Sequence, residues 1–152
     1  MTKISVVAGL ACVLAACGGD KGATPAADTT KAAAAAPAPA GATHDVNMVL
    51  EGTTYKFVPN ELSVKVGDQV VFHNVSGGPH NVAFYADSLP TGALAVIDPQ
   101  LKEPLGPLSS ALLLDPNATL AISFAGAPTG VYKFTCTPHM AMGMHGKITV
   151  TQ

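Results

Sequence analysis

Apolar and polar positions alternate along much of the chain. Leu62, Val64 and Val66 are separated by Ser63 and Lys65, and Leu120, Ile122 and Phe124 by Ala121 and Ser123. Tyr132, Phe134 and Cys136 alternate with Lys133 and Thr135, and Ile148 and Val150 with Lys147 and Thr149. A period of two gives each segment one buried face and one wet face, the mark of a β-strand. Turn residues divide the segments at Glu51-Gly52, Pro59-Asn60, Gly67-Asp68, Ser76-Gly77-Gly78-Pro79 and Ala127-Pro128-Thr129-Gly130. This spacing predicts an all-β fold for residues 43–152, an antiparallel Greek-key β-sandwich of seven to eight strands. Residues 90–116 break the pattern. Pro90, Pro99, Pro104, Pro107 and Pro116 exclude a continuous central strand there, so the segment reads as an irregular excursion. Within it, Ser109 to Leu114 suits a helical turn or a short edge strand.

The first forty residues carry no such pattern. Lys3 precedes an uncharged, mostly apolar run from Ile4 to Ala16, which has signal-peptide length and is short for a membrane span. It ends in Leu14-Ala15-Ala16-Cys17, which resembles the lipobox of bacterial lipoproteins. That resemblance implies a signal peptide over residues 1–16 and acylation of Cys17. The chain would then be exported and lipid-anchored to a bacterial membrane, facing the periplasm or the cell surface. Gly18 stands where an aspartate would mark inner-membrane retention, which favours the outer membrane. Residues 17–42, including "KAAAAAPAPAGA", offer nothing large and apolar to pack and read as a tether.

Charge narrows the function. The formal net charge is -2 with 12% charged residues, and no basic run is interleaved with aromatics, so nucleic acid is not an expected partner. Cys12 lies in the apolar run and Cys17 at the lipobox, which leaves Cys136 as the single thiol of the folded region. It sits in "FTCTPHMAMGMHGK", residues 134–147, with two histidines and three methionines. Thiolate, thioether and imidazole together suit a transition metal that changes oxidation state. Cys136 ends an alternating strand facing inward, and His139 follows after Pro138 on a loop able to curl back. Met144 arrives from the far side of that loop, and His80 supplies a second imidazole after Gly77-Gly78-Pro79. Met142 competes with Met144 for the thioether position. His145 faces either solvent or the site, His73 points outward, and His44 has no partner visible in the sequence.

"YKFVPNELSVKVGDQVVFHNVSGGPHNVAF" and "GVYKFTCTPHMAMGMHGKITV" resemble the two halves of the small blue copper proteins, the plastocyanin and pseudoazurin family. The resemblance covers most of residues 46–151 and weakens between Asp87 and Asn117. It implies a cupredoxin, not an enzyme by itself, that shuttles single electrons on one type 1 copper ion held by His80, Cys136, His139 and Met144. It also implies that Asn81, with Pro79 and Thr137 beside it, ties the ligand segments together. Redox proteins would dock transiently on an uncharged patch around His139 that includes Gly78, Pro138, Met140 and Met142. The chain is expected to be a monomer. A copper-binding chaperone or storage lipoprotein is the alternative, since a methionine-rich loop suits Cu(I). A structural zinc site would use the same nitrogen and sulfur ligands without needing Met144.

Overall fold

Eight strands convert the alternation into burial. In the computed structural model, which describes residues 41–101 and 105–152, they are β1 Thr43–Glu51, β2 Thr54–Val58, β3 Glu61–Lys65, β4 Gln69–Asn74, β5 Ala83–Phe84, β6 Thr119–Ser123, β7 Gly130–Thr135 and β8 His145–Thr151. The signal segment, Cys17 and all of the tether before Gly41 lie outside the described residues. Each strand sends side chains into one core: Val46 and Met48 from β1, Phe57 from β2, Val64 from β3, Val70 and Phe72 from β4, Phe84 from β5, Ile122 from β6, Tyr132 and Phe134 from β7, and Ile148 and Val150 from β8. At its centre the Phe134 ring lies 4.8 Å from that of Phe57 and 5.3 Å from that of Phe72, both edge to face. This is the preferred geometry for aromatic quadrupoles.

The strands form two four-stranded sheets, in the orders β2-β1-β4-β6 and β3-β8-β7-β5. Most neighbours are antiparallel, but each sheet holds one parallel pair, β1 with β4 and β3 with β8. A parallel pair needs a crossover, and here the chain supplies it by visiting the other sheet between the partners. Face alternation tells a strand which side is buried and nothing about its neighbour, so this mixture is a refinement of the sandwich read from sequence.

The strands set up two poles. Gly41 donates to the Gly67 carbonyl, and the Asp68 carboxylate accepts from the backbone N–H groups of Ala42 and Lys65, 2.8 Å each, and bonds His44 Nε2 at 2.9 Å. His44, partnerless in the sequence, is thereby paired across 24 residues. These bonds hold the Asp68 carboxyl below its ordinary range, the Lys65 N–H contributing most. The opposite pole receives the ends of β4 and β7 and the start of β8.

The proline-rich excursion carries a short helix, α1 Leu94–Ile97, and then returns. Its later part runs extended beside the segment after β4, with bridges between His80 and Leu113 and between Ala83 and Ser109. Ser109 to Leu114 forms neither a helical turn nor a strand of its own, and its strand-like pairing is confined to these two isolated bridges. Among the described residues no helix is long and apolar enough to cross a membrane.

Candidate metal centre

The second pole is assembled from two turns. β7 delivers Cys136 on the inward face that Tyr132 and Phe134 already occupy. The turn after it closes on itself: Cys136 N–H donates to the Met144 carbonyl at 3.1 Å, and Thr135 Oγ1 donates to the same oxygen at 2.9 Å. Thr137–Met142 forms 3-10 helical turns, with Pro138 in the first turn where its missing N–H costs nothing. Gly143 ends it at φ 81°, a left-handed conformation that favours glycine. The His139 N–H returns to the Cys136 carbonyl at 3.1 Å, so the imidazole folds back over the sulfur. His139 Nδ1 lies 3.4 Å from Cys136 Sγ.

His80 is fixed by the other turn. Its backbone exchanges hydrogen bonds with Leu113, and its Nε2 meets the Ser76 carbonyl at 2.9 Å. A carbonyl only accepts, so the ring proton sits on Nε2 and the lone pair stays on Nδ1, 3.5 Å from Cys136 Sγ. Gly78 allows a close approach here, because a Cβ at that position would press on the Asn74 amide. That amide donates to the carbonyls of Leu113 at 2.9 Å and Asp115 at 3.0 Å.

Two imidazole nitrogens and one sulfur thus lie within 4.8 Å of one another. All three residues are buried, His139 retaining 7% exposure. Burial pushes both histidines below their ordinary range; the charge of His80 adds to this at His139, and the Ser76 carbonyl partly opposes it at His80. Burial pushes the Cys136 thiol up, against the backbone N–H groups of Asn81 and His139. Burial disfavours the charged form of either imidazole, and two ring nitrogens converging on one buried sulfur fit a bound cation. Softness and the absence of a carboxylate among the three select copper-like metals over magnesium or calcium.

Asn81 joins the turns. Its Oδ1 accepts from Thr137 N–H at 2.7 Å, and its Nδ2 donates to Ser109 Oγ at 2.9 Å and Thr137 Oγ1 at 3.2 Å. Ser110 Oγ accepts from the Val82 N–H at 3.1 Å, so the excursion is pinned to the His80 segment. Ser109 and Ser110 had a faint signal, a polar pair in an apolar stretch. Tyr55, absent from the sequence reading, stacks on His139, with ring centroids 3.7 Å apart and planes 10° apart.

The methionines separate by burial. Met144 is fully buried, whereas Met140 and Met142 are 41% and 58% exposed. Gly78, Pro79, Thr137 and Pro138 are at the surface of the same pole. Leu114, next to the residue paired with His80, is 68% exposed there as well. His145 is exposed and hydrogen-bonded to Tyr85 Oη at 3.1 Å, away from the three-donor cluster, and His73 bonds Asp45 at 2.7 Å on the outer face.

Residues 44–151 match the profile of copper binding proteins of the plastocyanin/azurin family. A plastocyanin of Ginkgo biloba is 38% identical over 106 residues, spanning 70% of this chain and 98% of that protein. One of Vicia faba is 39% identical over 94 residues, 62% of this chain and 86% of that one. Among solved structures, oxidised plastocyanin from the fern Dryopteris crassirhizoma aligns with a TM-score of 0.54 at 28% identity, covering 71% of this chain and 100% of that one. A pseudoazurin from Sinorhizobium aligns at 0.52 and 25% identity, covering 73% and 75%.

Proposed function

Since the chain belongs to the plastocyanin/azurin family of copper-binding proteins, whose work is electron transfer, we propose that His80, Cys136, His139 and Met144 hold one type 1 copper ion in a membrane-tethered one-electron carrier. The observation that carries this is the placement of two imidazole Nδ1 atoms at 3.4 and 3.5 Å from one buried sulfur. Bound copper supplies a centre that takes up and gives back a single electron. The chain's own contribution is rigidity. Cys136 is held by the hydrogen bonds at the base of its turn, His80 by Ser76 and Leu113, and both segments by Asn81. Groups already in place need little rearrangement when the charge at the site changes, and surrounding bonds of this kind tune the metal. Burial of Met144 and exposure of Met142 favour Met144 as the thioether that would complete the donor set.

A buried thiol and a buried thioether favour an electron carrier over a copper chaperone or storage protein, whose donors are reached for exchange. The exposed thioethers of Met140 and Met142 instead form, with Gly78, Pro138 and Leu114, an uncharged rim around His139 suited to a small, transient interface with redox proteins. The lipobox Leu14-Ala15-Ala16-Cys17 supports anchoring through lipid on Cys17 at a bacterial membrane facing the periplasm or cell surface, with Gly18 favouring the outer one.

Copper loading tests the reading. The oxidised protein should be intensely blue, and Cys136→Ser should lose that colour, because it needs a copper–thiolate bond; a blue Cys136→Ser protein would end the assignment. For the anchor, Cys17→Ser should leave the detergent phase in phase partition while still binding copper. Unchanged partition would remove the lipid from the proposal.

A further inference from the structure

The two imidazoles are held by different means. His80 is tied at its far nitrogen by the Ser76 carbonyl. Among the described residues His139 makes a side-chain hydrogen bond only with the Cys136 sulfur, through Nδ1. No buried side-chain nitrogen there lacks a partner, so His139 Nε2 reaches solvent. What lies against this ring is Tyr55, at 3.7 Å and nearly parallel. The same phenol ring meets His80 edge to face at 6.1 Å, so it braces both imidazoles. Tyr55 stands on β2, in the sheet that does not carry the Cys136–Met144 turn. The stack therefore clamps that turn to the opposite sheet.

The sequence keeps room for it. Gly77 has φ 76°, and a Cβ there would lie 3.1 Å from Tyr55 Cε1 and inside the contact radius of Leu50 Cβ. The first glycine of Ser76-Gly77-Gly78-Pro79 thus leaves the space that Leu50 and Tyr55 fill.

We infer that Tyr55 is a positioning residue for His139, doing by stacking what the Ser76 carbonyl does for His80 by hydrogen bonding. This rests on His139 being a metal ligand. A carbonyl or carboxylate on Nε2 would hold the ring equally well, but it would cover the solvent-facing edge. A ring on the face of the imidazole restricts its rotation and leaves that edge open to a docking protein. Stacked aromatic pairs shift such an equilibrium by roughly two- to twelve-fold beyond simple burial.

The test uses the full-length chain as Tyr55→Phe and Tyr55→Leu, with melting curves to confirm that both fold. In the copper-free protein, carbon relaxation at His139 Cε1 reports ring motion, and His80 serves as the internal reference. In the copper-loaded protein, electron self-exchange measured by NMR line broadening is the second readout. Tyr55→Phe keeps the stack and should match wild type in both. Tyr55→Leu should mobilise His139 but not His80, and should slow self-exchange by roughly five-fold. An equally rigid His139 in folded Tyr55→Leu overturns the inference. So does an equal change in Tyr55→Phe, which would assign the effect to the hydroxyl. The copper-free readout stands even if no blue copper site forms, so failure of the ligand reading and failure of the Tyr55 reading are told apart.

Discussion

Gly146→Ala should be a costly substitution, although it adds one methyl group to a strand. Gly146 pairs with Phe134 across β7 and β8. Its φ lies outside the left-handed region, so alanine suits the backbone and the whole effect is steric. A Cβ built there falls 2.5 Å from Phe134 Cε2 and 3.0 Å from Cε1, and closer still to Cζ. Carbon atoms prefer roughly 3.5–4.0 Å, so something must move by about an ångström. The Phe134 ring is boxed in by Phe57, Phe72 and Phe84, with centroids at 4.8, 5.3 and 6.0 Å. The strand must give instead. Overpacking of this kind costs about 1–3 kcal/mol. At about 4 °C per kcal/mol for a domain of this size, the melting temperature should fall by roughly 4–12 °C. Gly146 is two residues from Met144, and Phe134 two from Cys136, so displacement of β8 should also alter the visible spectrum of the copper-loaded protein. Calorimetry on wild type, Gly146→Ala, Phe134→Leu and the double variant isolates the clash as a coupling between the two sites. Melting of Gly146→Ala within about 1 °C of wild type, below the smallest shift expected, would show that the ring is free to yield and that the core is looser than its geometry implies.

Three further outcomes follow from the same structure. Met144→Leu should keep a coloured site at a higher reduction potential, since removing a weak thioether donor would disfavour Cu(II), while Met142→Leu should change the potential far less; voltammetry showing the reverse would transfer the thioether role to Met142. Asp68→Asn should lower the melting temperature at neutral pH, and the sign follows from its depressed pKa: the carboxylate stabilises the fold above its ordinary value of 3.8 and loses that contribution as pH falls through the lower folded value. The gap between the two proteins should therefore close in acid, and a gap independent of pH would refute the Asp68 knot. Electron transfer to the native partner should depend weakly on salt, because the rim around His139 is uncharged, and Met140→Lys should slow it; a steep salt dependence in wild type would move the docking surface elsewhere.

How much of this was legible in the sequence depends on the range of each interaction. Cys136 and His139 are three residues apart, so their approach is a property of one turn and can be read from spacing. The inward faces of Val64, Ile122, Tyr132 and Ile148 follow from a period of two and are buried or lie in the core as expected. Strand partners are another matter. The parallel pairing of β1 with β4 is decided by which edges the crossovers leave open, and nothing in the alternation of either strand encodes it. The same holds for His44 with Asp68, and for Ser109 with Asn81, which meet across 24 and 28 residues. Tyr55 was invisible for a further reason. On β2 it reads as an ordinary half-buried aromatic, and only the folding back of His139 gives it a ring to cover.

The two poles also bear on how the domain would be attached. The first described residue, Gly41, and the end of β8 lie at the Asp68 pole, and the copper turn lies at the other, about 20 Å away along a six-residue strand. Because Gly41 and Ala42 are bonded to the Gly67–Asp68 turn, the folded domain already includes Gly41. The lipid attachment proposed for Cys17 would enter the domain at one tip, with the copper turn at the other. Attachment at that tip would leave the face that carries His139 at the far end of the domain, open to an approaching partner.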